Sequence, residues 1–258
     1  MPMIESKDNE KLKLVRKLQV RKHRERQGLF VTEGEDLLEA GLAAGARPQF
    51  VLVAAGAGIP AGDLPVDVVQ EDLLDAVSSL GSGTRMIAVW PRAEQGAPQA
   101  PCVYLDGVGD PGNVGTIIRT AHALLDATVA LGPDCADPYG PKATRASMGS
   151  LFDRPPALVS GVEEMPAPRV GLVAHGGDGL EALAGAGTVC LGAEREGLRP
   201  EVLAACDATA TIPLRGAAES LNVAAAAAIA CERLAAQGAA QGGARISSPA
   251  MAKAQPNG

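Results

Sequence analysis

Aromatic side chains are almost missing from this chain: one Trp, two Tyr and three Phe, 2% of 258 residues. So few rings exclude a single-strand nucleic-acid surface made of stacked aromatics, and they leave the core to Ala, Val, Leu and Ile. Histidine is scarce as well, and His23, His122 and His175 stand at no metal-ligand spacing, so no metal site is expected. The five cysteines, at 102, 135, 190, 206 and 231, include no C-x-x-C pair. That pattern predicts reduced, mostly buried thiols in a cytoplasmic protein. No run of 18 apolar residues offers a membrane span, since the Ala run at 224–230 is short and weakly apolar. The polar, charged first residues do not read as a secretory signal. Neither a Gly-x-Ser-x-Gly elbow nor a Walker loop is present.

An excess of positive charge is also lacking, because the chain carries −7 overall. The distribution is more telling than the sum. Residues 11–26 hold eight Lys or Arg and one Glu, a local +7, so the remainder carries −14. Clustering of this kind outweighs the overall balance in phosphate binding. The segment reads as one basic helix, with Leu12, Val15 and Leu18 on its apolar side. An RNA-contacting face and a plain solvated face are both open readings at this level.

Apolar runs at 29–31, 50–53 and 85–90 alternate with helical patterns at 34–44 and 70–80. Together they predict a small α/β unit over residues 1–92. Residues 93–101 are polar and rich in Pro and Gly, as an interdomain linker would be. Over 102–237, short strands alternate with helices beginning near Asn113, Lys142 and Ser220, which predicts a mostly parallel sheet covered by helices. Residues 238–258 lack an apolar period and read as a disordered tail.

Three polar motifs follow apolar runs in this second half, where strands of an α/β sheet end and ligands bind. The first spans Asp106 to Arg119 and contains Gly107-x-Gly109-x-x-Gly112, which matches a dinucleotide fingerprint. Against a nicotinamide-dependent oxidoreductase, Asp110 would repel a pyrophosphate at the helix start. The following helix has Val114, Ile117, Ile118, Ala121, Leu124 and Leu125 as its apolar stripe, with Arg119 off it and free to hold a phosphate. The second motif is Gly192-Ala-Glu194-Arg-Glu-Gly197-Leu198; its glycines permit close backbone approach to a ligand. The third is Ser220-Leu221-Asn222-Val223, in which Ser220 is the expected cap of the Ala-rich helix. His175, before Gly176 and Gly177, reads as a pocket-lining residue.

Taken together, and with Arg145-Ala-Ser-Met-Gly149, these motifs resemble those of the SpoU-type RNA ribose 2′-O-methyltransferases of the SPOUT superfamily, over residues 102–235. The segment from Lys17 to Gly34 is similar, more loosely, to the family's small substrate-binding domain, which has a ribosomal-protein-like α/β fold. Ala224 stands where the family usually has Ser; Arg195 and Glu196 occupy variable positions. The resemblance implies a C-terminal SPOUT domain with a parallel sheet and a deep trefoil knot. It implies an S-adenosylmethionine site lined by Ala174, His175, Gly176, Leu191, Gly192, Gly197, Ile212, Leu214 and Leu221. It also implies a catalytic set of Arg119, Asn113, Glu194, Ser220 and Asn222, RNA contacts from Arg21, Lys22, Arg24 and Arg145, and a homodimer. The implied reaction is methylation of a ribose 2′-hydroxyl, in 23S ribosomal RNA or alternatively in tRNA; a non-catalytic RNA-binding factor on the same fold is the other alternative.

Overall fold

The computed structural model describes residues 3–60, 62–93, 96–216 and 219–241. Two sheets organise the chain. The first comprises β1 (Met3–Ile4), β2 (Leu29–Glu33), β3 (Phe50–Ala54), β4 (Val66–Val69) and β5 (Met86–Pro91), in the order β1-β4-β3-β5-β2. Its helices are α1 (Glu10–Leu18), α2 (Arg21–Gln27), α3 (Glu35–Ala43) and α4 (Glu71–Asp75). Strand periodicity divides its side chains between two cores. Phe50, Leu52, Ile87 and Val89 meet Leu12, Val15 and Leu18 of α1. Val51, Val53, Ala88, Phe30 and Trp90 belong to a core shared with the second sheet.

The basic segment is not one helix. Val20 is extended (φ −103°, ψ 129°) and separates α1 from α2. The break lets the Arg24 guanidinium turn back and donate from Nη1 to the Leu18 carbonyl at 2.7 Å. That satisfies one of the carbonyls orphaned at the end of α1.

The second sheet comprises β6 (Cys102–Asp106), β7 (Thr128–Leu131), β8 (Ala157–Leu158), β9 (Arg169–Leu172), β10 (Thr188–Gly192) and β11 (Ala208–Ala210). Its order is β11-β9-β10-β6-β7-β8, with every pair parallel. Between and after the strands come α5 (Pro111–Leu125), α6 (Pro141–Ser147), α7 (Ser150–Asp153), α8 (Pro200–Ala204) and α9 (Val223–Gln241). Val114, Ile117, Ile118 and Ala121 bury the α5 stripe as expected, but Leu124 in the last turn is exposed. Close packing of α5 on α6 depends on Gly115, where a Cβ would lie 2.3 Å from the Ala143 carbonyl oxygen. Each fully buried Leu or Ile in these layers contributes about 1.5–3 kcal/mol.

The two sheets are not separated by their linker. Four of the six aromatic residues meet between them. Phe30 packs on Tyr139 with ring centroids 5.0 Å apart, and Phe152 lies 5.7 Å from Phe30 and 4.7 Å from Trp90. Trp90 is fully buried, and its Nε1 donates to the Thr32 hydroxyl at 2.8 Å. Helix α9 continues to Gln241, past the expected start of the tail, and residues 242–258 lie outside the described residues. None of the five cysteines forms a disulfide, and four are buried. Among the described residues no helix is long and apolar enough to cross a membrane, and no cluster of three His, Cys, Asp or Glu could hold a metal ion.

Candidate active site

Strands β6 and β10 are paired in register, so Asp106 stands opposite Gly192 at their C-terminal ends. Both motif loops therefore leave the sheet side by side. The first turns immediately into α5. Asp110 is the N-cap: its Oδ1 accepts the Asn113 backbone N–H at 2.9 Å, and its Oδ2 accepts Lys142 Nζ at 2.7 Å. Lys142 and the backbone N–H of Asn113 hold the Asp110 carboxyl below the usual carboxylate range. A negative side chain therefore fills the helix start where a pyrophosphate would have to bind, which counts against the dinucleotide reading.

The second loop folds back on itself. Ala193 and Gly197 exchange backbone hydrogen bonds at 3.1 and 2.9 Å. A Cβ on Gly192 would lie 2.0 Å from the Gly197 carbonyl carbon, so the loop closes only over glycine. Asp106 anchors the loop's far end. Its carboxylate, fully buried, accepts the Arg199 backbone N–H (2.8 Å), Nε (2.7 Å) and Nη2 (2.5 Å). Paired with Asp106, the Arg199 guanidinium is pushed above its usual pKa. Asp106 is visible in the sequence only as the first residue of a motif, and Arg199 lies outside every motif.

This geometry brings three expected polar residues together. Glu194 Oε1 accepts from Asn113 Nδ2 at 2.8 Å and from Asn222 Nδ2 at 2.8 Å, and Asn222 Nδ2 also reaches Asn113 Oδ1 at 3.1 Å. Asn222 does a second job. Its Oδ1 accepts the backbone N–H groups of Ala224 (2.9 Å) and Ala225 (3.4 Å), so it caps α9. The cap expected of Ser220 thus belongs to Asn222, because α9 starts at Val223 and an N-cap side chain serves the two or three residues after it. Glu194 and Asn222 are exposed and Asn113 is half-buried, and of the three Glu194 lines a neighbouring cavity.

The cavity has a volume of about 430 Å³. Ala174, His175, Leu191, Gly192, Gly197, Ile212, Leu214 and Leu221 line it, as does Ser220, together with Glu194. Gly176 does not; with φ of 76° it turns the chain away beyond His175. Lining residues not expected from the sequence include Leu198 and Val223, the last residues of the second and third motifs, and Glu219, which precedes the third. Apolar side chains over exposed backbone suit a flat heterocycle held by main-chain groups. Three carboxylates, Glu194, Glu196 and Glu219, against one guanidinium, Arg195, leave the cavity lining net negative, which suits a positively charged ligand.

Arg119 is not in this cluster. It lies six residues beyond Asn113 on α5, about 9 Å further along the axis, and it is exposed with no partner among the described residues. Three of the four expected RNA contacts are engaged within the protein. Arg24 is 5% exposed and pairs with Asp137, with Nη2 at 2.7 Å and Nε at 2.8 Å from Oδ2. Burial and this pairing turn the Arg24 guanidinium into the protein, unlike the exposed cations around it. Arg21 Nη1 donates to the Cys135 carbonyl at 3.2 Å and its Nε to Glu25. Arg145 Nη1 donates to Ser79 Oγ at 2.8 Å. Lys22 is exposed.

Comparison with known proteins agrees with this geometry. The SpoU rRNA Methylase family model matches residues 100–232, and that of the MRM3-like substrate binding domain matches residues 9–88. The chain is 37% identical over 243 residues to the 23S rRNA (guanosine(2553)-2′-O)-methyltransferase RlmP of Bacillus subtilis (strain 168), covering 89% of this chain and 97% of that protein. The SpoU methyltransferase AviRb from Streptomyces viridochromogenes, solved in complex with AdoMet, superposes with a TM-score of 0.79 at 25% identity, covering 89% of this chain and 98% of that one. A putative RNA methyltransferase of the TrmH family from Porphyromonas gingivalis does so with a TM-score of 0.74 at 31% identity, covering 86% and 95%. Two sheets in the matching order of domains, a glycine-closed loop over a cavity and this extent of likeness together place the chain in the SpoU rRNA methylase family.

Proposed function

We propose that the protein transfers a methyl group from S-adenosylmethionine to a ribose 2′-hydroxyl of 23S ribosomal RNA, acting as a cytoplasmic homodimer. The observation that carries this reading is the Asn113–Glu194–Asn222 cluster, whose Glu194 lines the glycine-containing cavity. When bound, S-adenosylmethionine would supply an already activated methyl group on its sulfonium, for transfer to the 2′-oxygen as the hydroxyl gives up its proton. The chain's own residues bind, orient and handle the proton. Leu191, Ile212, Leu214 and Leu221 offer the apolar walls for an adenine, and the backbone between Gly192 and Gly197 offers hydrogen-bonding groups. Glu194 keeps Oε2 free of partners among the described residues and places negative charge beside a sulfonium.

Arg119 holds the 2′-hydroxyl or its neighbouring phosphate. A guanidinium keeps its charge and is a poor base, so its role is positioning and stabilisation of developing charge. Its separation from the cluster of its own chain supports a site completed by a second copy. The strand order, with β10 inserted between β6 and β9, and the closure of Gly192 against Gly197 support the trefoil-knot reading. The decisive test is methyl incorporation into unmodified 23S rRNA transcribed in vitro, compared with a tRNA pool. Arg119→Ala is expected to abolish transfer while S-adenosylmethionine affinity, by calorimetry, stays within a few fold. Cofactor binding with no transfer to either RNA would leave a non-catalytic RNA-binding factor as the better reading.

A further inference from the structure

The sequence marks Arg24 as one of a row of phosphate-binding cations, but the structure gives it a different setting. Its guanidinium reaches from α2 across to the loop between β7 and α6, where Asp137 accepts from Nε and Nη2. The side chains of the two partners are 6% and 9% exposed. The third nitrogen, Nη1, is spent on the Leu18 carbonyl. The other oxygen of Asp137 accepts the Tyr139 N–H at 3.0 Å, which sets the ring that packs on Phe30. The same loop is tied to the site. Ala136 N–H donates to the Val108 carbonyl in the first motif at 2.9 Å. Lys142, at the start of α6, bonds the Asp110 cap of the helix that carries Asn113.

We infer that Arg24 and Asp137 are a positioning pair: their buried two-nitrogen contact fixes the basic face of α1 and α2 relative to the methyl-transfer site, and neither binds RNA. The inference rests on the RNA methyltransferase reading above. An exposed lysine or arginine would add phosphate affinity wherever it stood. A guanidinium held on three sides by protein adds none, but it sets where Arg16, Lys17, Lys22 and Arg26, all exposed on the same two helices, present their charge. The aromatic contacts between the sheets resist separation without dictating rotation, whereas a two-nitrogen contact to one carboxylate is directional.

The test compares Arg24→Met with Lys22→Ala, using unmodified 23S rRNA transcribed in vitro. Arg24→Met is expected to lower kcat/KM for RNA about tenfold or more, with S-adenosylmethionine affinity within twofold. The slope of log RNA affinity against log salt is expected to stay at the wild-type value in Arg24→Met. In Lys22→Ala it is expected to shrink, by about 0.7–0.9 for each phosphate no longer neutralised. Arg24→Lys, which keeps the charge but offers a single nitrogen, is expected to remain impaired. If Arg24→Met does not fold, the Arg24→Met/Asp137→Leu double variant removes both charges together and is measured in its place. A reduced salt slope in the Met variant, or unchanged turnover of RNA, overturns the inference. Absence of methyl transfer by the wild-type protein overturns the underlying reading instead, so the two failures are distinguishable.

Discussion

Replacing Arg199 with Ala isolates what holds the cofactor loop in place. Asp106 is fully buried and receives three donors from one residue, two from the guanidinium and one from the backbone. The substitution removes the two side-chain bonds at 2.7 and 2.5 Å and spares the Arg199 N–H at 2.8 Å. Stripping a buried ion of its partner costs about 3–5 kcal/mol. Arg199 itself is 37% exposed, so water can replace part of the guanidinium. The surviving backbone bond lowers the cost further, to about 2–3 kcal/mol. For a chain of this size each kcal/mol moves the Tm by about 2–4 °C, so a fall of about 5–10 °C is expected. S-adenosylmethionine affinity should fall as well, since Arg199 pins the end of the loop that carries Glu194 and Gly197. Thermal unfolding and calorimetry of Arg199→Ala, Asp106→Asn and the double variant form a cycle. Additive single effects, or a Tm within about 1 °C of wild type in Arg199→Ala, would refute the anchoring argument.

Gly192→Ala should damage the cofactor site while leaving the rest of the protein folded. Its Cβ would meet backbone of Gly197 and Leu198 at 2.0–2.2 Å; strain of about 1–3 kcal/mol corresponds to about 5- to 150-fold weaker binding, and wild-type affinity by calorimetry would contradict the closure. The Asp110 cap should show in acid. Because Lys142 and the Asn113 N–H depress its carboxyl, its contribution to stability is present above about pH 4, the ordinary carboxylate value, and is lost as pH falls through the lower folded value. The stability difference between wild type and Asp110→Ala should therefore shrink in strong acid, and a difference constant from about pH 7 to about pH 2 would remove the cap from the account.

Much of the site is legible in the sequence because its residues do two jobs in one short motif. Asn222 caps α9 and bonds Glu194, and Asp110 caps α5 and bonds Lys142; both roles demand particular side chains at fixed offsets from a strand end. The parallel character of the second sheet is legible from alternation alone; its strand order is not. Strands β1, β4 and β8 and helices α7 and α8 are not, since elements of two to five residues carry too little period to register. The division of labour between Ser220 and Asn222 is hidden for a related reason. Either residue type can cap, and only the actual first turn at Val223 decides which one does.

The basic segment shows the deeper limit. Its charge pattern is plain, yet charge pattern does not say which cations face water. Val20 breaks the helix and Arg24 turns inward, because the neighbouring loop supplies Asp137 from 113 residues away. The scarce aromatics carry the matching signal. Four of the six rings, Phe30, Trp90, Tyr139 and Phe152, pack together between the sheets. Residues of both sheets belong to one core. On the proposed function, a set distance between the basic face of α1 and α2 and the cavity would itself be a source of selectivity, since orientation set in advance costs no entropy on binding.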